Sequence, residues 1–230
     1  MWRLGSRHPF SGSDGKDVRV NWQVTYALAN FAKEGRSRAE HLGGDVIRIV
    51  TEDRPDVVAA ITATATVDQA TAVGYRDSVE GLDFLCGYRA ECVWEGEAIR
   101  YLEQNRVGWG SFGTLGSAVL DGNANTAQHK VYKFSDRLLR QYGPVLTVDR
   151  EFDRVHRVTL RNGEVLRIGM IAAYEPTADE VRTLWDRFGP VDIIWNTNPN
   201  GTPQSEANEA GRELGCEVML WNALRERLAR

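Results

Sequence analysis

Polar residues that could act on a substrate follow an apolar run at two places in the chain. The later place is NTNPNGTPQSE (196–206), which follows VDIIW directly and offers three amides at Asn196, Asn198 and Asn200. An amide both donates and accepts hydrogen bonds, so it can hold a water molecule or the edge of a base. The pattern therefore predicts a ligand-binding loop with Asn198 as its central group.

The earlier place is GYRAECVWEGE (87–97), which has no asparagine and a different chemistry. Its candidate binding and catalytic residues are carboxylates, an arginine and aromatic rings: Tyr88, Arg89, Glu91, Trp94 and Glu95. The difference between the two loops indicates different roles, and the alternative is drift of unconstrained surface loops.

A third candidate stretch is AAYEPTAD (172–179), in which Tyr174 and Glu175 precede a predicted helix. Glu175 and Glu95 are the predicted catalytic carboxylates, with Asn198 as their amide partner. The alternative for Glu175 is a solvated acid that interacts favourably with the helix dipole.

The elements that position these loops repeat along the chain. Residues 56–119 align with 164–228, and the offset is nearly constant. Each copy predicts a strand, a capping box (TVDQ or TADE), a helix that ends at Gly81 or Gly189, a second strand, a polar loop and a further helix. Strands separated by such helices are expected to pair in parallel, so the loops meet at the carboxyl edge of a sheet.

The predicted fold class is α/β, with internal duplication of a helix–strand–strand–helix–strand unit and mixed or parallel sheets covered by helices. The predicted domains are 1–120, a first repeat with an N-terminal extension, and 129–230, a second repeat. A Gly/Asn/Thr-rich linker at 121–128 joins them. Chance similarity between two α/β segments is the alternative. Thr202 and Pro203 are expected to begin one helix, and Trp22 is expected in the core.

Composition excludes several classes of protein. With 42% hydrophobic and 26% charged residues, the chain resembles a globular protein, and no apolar run approaches the roughly 20 residues of a membrane span. The N-terminus lacks the apolar core of a signal peptide. Three cysteines without metal-ligand spacing indicate a reducing, cytoplasmic setting. We expect no cofactor, no bound metal and no membrane partner, and leave a homodimer open.

Positive charge concentrates in one segment. Residues 128–167 hold nine Lys and Arg against five acids, although the chain as a whole carries −4. Such a basic band can bind phosphates, and the predicted contacts are Lys130, Lys133, Arg137 and Arg157. The alternative is a solvated hairpin face with alternating charges.

The common catalytic motifs give little support for any particular function. GWGSFG (108–113) matches G-x-G-x-x-G by letter but aligns with an ordinary strand end, EVMLWN, in the second copy. The four histidines are scattered, and none is predicted to be catalytic.

The order of helix, strands, helix and strand in each unit resembles the restriction-endonuclease-like core. That resemblance implies an Asp and an E-x-K on adjacent strands, which bind a metal that activates water. Here the nearest candidates are Asp153 and EVLR (164–167), which lacks the lysine, so the resemblance is one of topology only.

Three functions are compatible with these residues. The first is a metal-independent hydrolase that cleaves an N-glycosidic bond in a nucleic acid or nucleoside, because the loops supply carboxylates, amides and aromatic rings. The second is a restriction-endonuclease-like nuclease with an altered metal site. The third is a non-catalytic module that binds nucleic acid or a protein partner.

Overall fold

A computed structural model describes residues 21–33, 35–89 and 91–230. This part of the chain is a mixed α/β protein with two five-stranded sheets and helices between their strands. Most of the predicted N-terminal extension (1–20) lies outside the described residues. Within them, no helix combines the length and apolarity that a bilayer crossing requires.

The first half opens with an amphipathic helix that buries Val24, Ala27 and Phe31. The helices of this half are α1 (Trp22–Lys33), α2 (Gln69–Ser78), α3 (Gly96–Gln104) and α4 (Phe112–Asp121). Its strands are β1 (Ser37–Gly43), β2 (Val46–Thr51), β3 (Val57–Thr62), β4 (Thr66–Val67), β5 (Phe84–Gly87), β6 (Val93–Trp94) and β7 (Gly108–Ser111).

The first sheet has the order β1-β2-β3-β5-β7. Strands β1, β2 and β3 pair antiparallel, and β3, β5 and β7 pair parallel, as expected for strands joined by helices. The short strands β4 and β6 form a separate parallel pair. Buried side chains lie on both faces of the sheet, with α1 and α4 on one face and α2 and α3 on the other.

The second half contains the helices α5 (Lys130–Gln141), α6 (Ala178–Phe188), α7 (Ser205–Leu214) and α8 (Trp221–Leu228). Its strands are β8 (Val145–Phe152), β9 (Val155–Leu160), β10 (Val165–Ile171), β11 (Ile193–Asn196) and β12 (Glu217–Leu220). The order β8-β9-β10-β11-β12 and the strand directions are the same as in the first sheet. Descent of both halves from one duplicated unit stays a prediction.

The two predicted capping boxes differ in the structure. Thr177 and Glu180 form the predicted reciprocal pair at α6, which also ends at Gly189 as expected. In the first half Thr66 pairs with Val93 in the short β4–β6 ladder instead, and Asp68 caps α2. Helix α2 then ends at Ser78, before the predicted Gly81.

Two further sequence predictions need correction, and one strand was missed. Helix α7 begins at Ser205 after Gln204, and Thr202 lies outside it, with its backbone N–H donating to the Tyr174 carbonyl at 2.9 Å. Trp22 is 62% exposed because it lies on the outer face of α1. Strand β1 was not predicted, because its sequence, SRAEHLG, is mostly polar and every second side chain is exposed to solvent.

The predicted linker packs along the first sheet. Ala124 is only 5% exposed, and the Trp109 backbone N–H donates to the Ala127 carbonyl at 2.9 Å. These contacts fix the position from which α5 starts.

Backbone contacts hold the two halves together. The Asp153 N–H donates to the Trp94 carbonyl at 2.9 Å, and Glu95 forms an antiparallel bridge with Phe152. Gly96 lies so close to β8 that a Cβ atom there would be 1.7 Å from the Arg150 carbonyl oxygen. Only glycine permits this approach.

We expect Gly96→Ala to destabilise the protein by about 1–3 kcal/mol, because the added methyl forces the halves apart. The matched control is Gly74→Ala in α2, where an added Cβ meets nothing within 4 Å. Alanine should stabilise that helix by about 0.5–1 kcal/mol. Urea unfolding measures both, and equal midpoints for the two variants would show that the halves tolerate separation at Gly96.

Candidate functional site

A cavity of about 200 Å³ lies where the two halves meet. The first half contributes Arg89 from the loop after β5, Trp94 from β6 and Trp109 from β7. These segments lie toward the carboxyl edge of the first sheet, the edge at which α/β proteins commonly bind ligands.

The second half closes the cavity with four side chains. His129 immediately precedes α5, and Tyr132 lies in the first turn of that helix. Asp153 and Arg154 form the turn between β8 and β9. The cavity therefore depends on both halves.

Asp153 is a buried carboxylate that is only partly satisfied. It is 3% exposed, and its Oδ2 accepts hydrogen bonds from Arg154 at 2.8 and 3.1 Å. Its Oδ1 has no hydrogen-bond partner among the described residues, and neither does the Nε1 of Trp109, which is 2% exposed. One acceptor and one donor beside this cavity therefore lack partners from the protein itself. A buried polar atom without a partner costs about 1–3 kcal/mol.

His129 stacks on Tyr132 with ring centroids 4.2 Å apart. Burial lowers the pKa of His129, and the positive charge of Arg154 lowers it further, while Asp153 opposes both effects. These surroundings therefore favour the neutral imidazole, the form that can accept a proton. Its Nδ1 is buried and has no partner within the described part of the chain.

Cys92 also lines the cavity, but its chemistry is suppressed. Burial raises the pKa of its thiol to about 11, and the nearby Asp153 contributes to this shift. A thiol that remains protonated at neutral pH is a poor nucleophile, so Cys92 serves as a wall of the cavity.

Two larger depressions adjoin the cavity. A groove of about 510 Å³ runs between α4 and the start of α5 and is lined by the hydroxyl groups of Thr114 and Ser117 and by Lys130 and Lys133. A cleft of about 500 Å³ extends along α6 on the other side. His129 lines all three spaces, so they meet at one histidine.

The first predicted loop contributes directly to this region. Arg89 and Trp94 line the cavity, and Glu91 lines the adjoining cleft, where it pairs with Arg187 at 2.6 Å. Glu95 is half-buried at the bridge between the halves. Tyr88 packs instead against aromatic rings of α1.

The second predicted loop is organised by its own backbone. Asn196 is 1% exposed, its Oδ1 accepts from the Asn198 N–H at 3.3 Å, and the Oδ1 of Asn198 accepts from the Asn200 N–H at 3.1 Å. Asn196 Nδ2 is buried without a partner in the described structure and lies against Gly201. The first two amide oxygens thus support turns of the loop itself.

The remaining predicted residues at this edge are exposed. Glu175 accepts from Gln204 at 3.3 Å, and Tyr174 is 67% exposed. Glu175 follows β10 of the second sheet and Glu95 follows β6 of the first half, so the two predicted catalytic carboxylates belong to loops of different sheets.

The predicted phosphate contacts divide into two groups. Lys130 and Lys133 are exposed and line the groove, although Lys130 also lies 3.4 Å from Asp121. Arg137 lies near the ring of Phe134, and Arg157 pairs with Glu151 at 2.6 Å.

Sequence reasoning missed most of the cavity. Asp153 was considered only as a metal ligand of a nuclease, and His129, Tyr132 and Arg154 were not predicted as site residues. These side chains come from segments that are distant in sequence and meet only because the halves pack together. Among the described residues, no group of three or more His, Cys, Asp or Glu is placed to hold a metal ion.

Comparison of the chain with protein-family models, with curated proteins and with solved structures gave no match. Functional inference therefore depends on the geometry alone.

The charges around His129 give a direct test of this geometry. Arg154→Gln should raise the pKa of His129, because it removes a nearby positive charge, and Asp153→Asn should lower it, because it removes the opposing negative charge. Titration of the imidazole resonances by NMR, assigned with His129→Gln, measures both shifts. If the pKa of His129 shifted in the same direction in both variants, the charges of Arg154 and Asp153 would not act on His129 as their positions in the cavity predict.

Proposed function

We propose that this protein is a hydrolase that cleaves an N-glycosidic bond in nucleic acid and holds the target base in the cavity between its halves. The observation that carries the proposal is the pair of buried atoms without partners, Asp153 Oδ1 and Trp109 Nε1, in side chains that line this aromatic cavity. A nucleobase presents donors and acceptors along one edge and has two apolar faces.

Each wall of the cavity has a role in holding a base. Trp94, Trp109 and Tyr132 supply aromatic surface against which a flat base packs. The base edge supplies the acceptor that Trp109 lacks, and the Oδ1 of Asp153 is left to face the sugar of the same nucleotide. A cavity of about 200 Å³ suits one nucleotide unit rather than a stretch of duplex.

Two side chains carry the chemistry in this proposal. Cleavage of an N-glycosidic bond builds positive charge on the sugar, and the Asp153 carboxylate stabilises it. His129, in the neutral form that its surroundings favour, takes a proton from the attacking water. The oxygen of that water bonds to the sugar carbon, and the base leaves with the electron pair of the broken bond and gains the proton that His129 took up.

The groove between α4 and α5 supports nucleic acid as the substrate class. Lys130 and Lys133 lie along it, and it joins the cavity at Ser111 and His129. Phosphates that flank the target nucleotide would contact these lysines while the base occupies the cavity.

Asp153→Asn should reduce base release by about 10²- to 10³-fold, because it keeps the shape of the side chain and removes the charge. The matched controls are Glu175→Gln and Glu95→Gln, the carboxylates predicted from sequence. Unmodified and base-modified DNA are incubated with each variant, with and without chelator, and free bases and strand breaks are scored.

The outcomes of that assay separate the candidate functions. Loss of base release in Glu175→Gln with full activity in Asp153→Asn would move the site to the edge of the second sheet. Strand breaks that require a divalent metal would favour the alternative function, a restriction-endonuclease-like nuclease. The order of elements in each half resembles the core of that family. Binding without either product would leave a non-catalytic module.

Binding through the groove should also depend on salt. Each phosphate contact releases counterions, so Lys133→Gln should reduce the slope of log affinity against log salt by about 0.7–0.9. Arg157→Gln is the matched control, because Arg157 already pairs with Glu151. A slope that changes only in the control would place the phosphates on β9 and not in the groove.

A further inference from the structure

Four aromatic side chains form a continuous surface beside the cavity. Trp22, Tyr26, Tyr88 and Phe112 make this aromatic surface, in which Trp22–Tyr88, Tyr26–Tyr88 and Tyr26–Phe112 centroids lie 4.3, 5.5 and 5.7 Å apart. Trp22 is 62% exposed and Tyr26 46% exposed. Large exposed aromatic side chains that cluster in this way commonly mark a binding surface.

The elements of the first half explain where this surface lies. Trp22 and Tyr26 are one turn apart on the solvent side of α1, whose opposite side buries Val24 and Ala27. Tyr88 follows the carboxyl end of β5, and Phe112 begins α4 directly after β7. The aromatic surface therefore lies at the same sheet edge as the cavity.

Two members of the aromatic surface are sequence neighbours of residues that line the cavity: Tyr88 precedes Arg89, and Phe112 follows Ser111. Consecutive Cα atoms are about 3.8 Å apart, so the backbone of the surface begins next to the cavity wall. The rings themselves pack on the α1–α4 face of the sheet, and the tryptophans of the cavity on the α2–α3 face, so a bound strand would pass over the sheet edge between them. A strand with one base in the cavity would bring a neighbouring nucleotide to these rings.

The chemistry of the aromatic surface fits an unpaired base. Stacking on an aromatic side chain accepts any base because every base has a π-face. Helix α1 itself carries no acidic residue, and Asp45, the carboxylate at its N-terminal end, is engaged by the amides of Asn21 and Gln23. In a duplex the faces of the bases are covered by their neighbours, and only a single strand can offer them.

We propose that the aromatic surface is a stacking platform for the nucleotides next to the target base, so that the substrate is single-stranded nucleic acid. This inference rests on the proposed function. It adds a second binding area, outside the cavity, and a preference between forms of the substrate.

The test compares the affinities of the parent protein and its variants for a fluorescein-labelled single-stranded 12-mer and the corresponding duplex. Trp22→Ala and Tyr26→Ala should each weaken single-strand binding by roughly 5- to 150-fold, the range for loss of one stacked base. Trp22→Phe should retain most of the affinity, because it keeps an aromatic face. Leu146→Ala, which removes an exposed apolar side chain from β8, is the control and should bind like the parent. All these side chains are largely exposed, so the melting temperatures should stay close to that of the parent.

The outcomes distinguish this inference from the function on which it rests. Equal affinity for the two forms, or unchanged single-strand binding in Trp22→Ala and Tyr26→Ala, would overturn the platform while base release by the parent still supports the hydrolase. Release of base from free nucleosides without binding of either oligonucleotide would also overturn the platform and keep the chemistry. Absence of both base release and binding would overturn both proposals.

Discussion

A backbone contact between the two halves determines the geometry of the cavity. The Trp94 carbonyl accepts the Asp153 N–H at 2.9 Å, and Gly96 lies directly against the main chain of β8 at Arg150. Main-chain atoms have no rotamers, so this contact fixes where the β8–β9 turn lies relative to the first sheet. This backbone contact buries the Asp153 carboxylate beside Trp94 and Trp109. A carboxylate has no preference of its own for an apolar environment.

A buried charged network reinforces the contact. The Arg150 side chain is only 9% exposed, reaches Glu103 on α3 and Asp136 on α5 at 3.3 and 3.4 Å, and lies 6.0 Å from the centre of the Trp109 ring. Burial alone would raise the pKa of Asp136, but hydrogen bonds from His156 and Arg140 outweigh it and lower the pKa. Removing one partner from such a network leaves a buried charge uncompensated. Other packings of these elements would do the same, so the network favours this one. The network fixes the positions of α3, α5 and β8 relative to one another. It therefore also fixes the relative positions of the two walls of the cavity.

The α/β class was predictable from sequence because it depends on local signals. Apolar runs such as VVAAIT and VDIIW, separated by amphipathic helices, give the parallel strands, and Thr177 with Glu180 gives the start of α6. The cavity was not predictable, since it depends on how two sheets pack. Asp153 follows a polar hairpin strand and His129 follows the linker, and neither position has a local pattern that differs from a solvated turn. Trp22 was assigned to the core because the sequence does not specify which face of α1 its ring joins.

The contrast between the two polar loops has a structural explanation. In the first half the loop after β5 meets the second half, with Glu91 pairing to Arg187, Trp94 bonded to Asp153 and Glu95 bridging to Phe152. In the second half the corresponding loop makes turns from its own asparagines. The two edges therefore differ in what they contact: the first, with its carboxylates and aromatic rings, meets the other half, and the second, with its amides, supports its own loop. This packing brings a carboxylate from one half and two tryptophans from the other into a single cavity, which neither half forms alone.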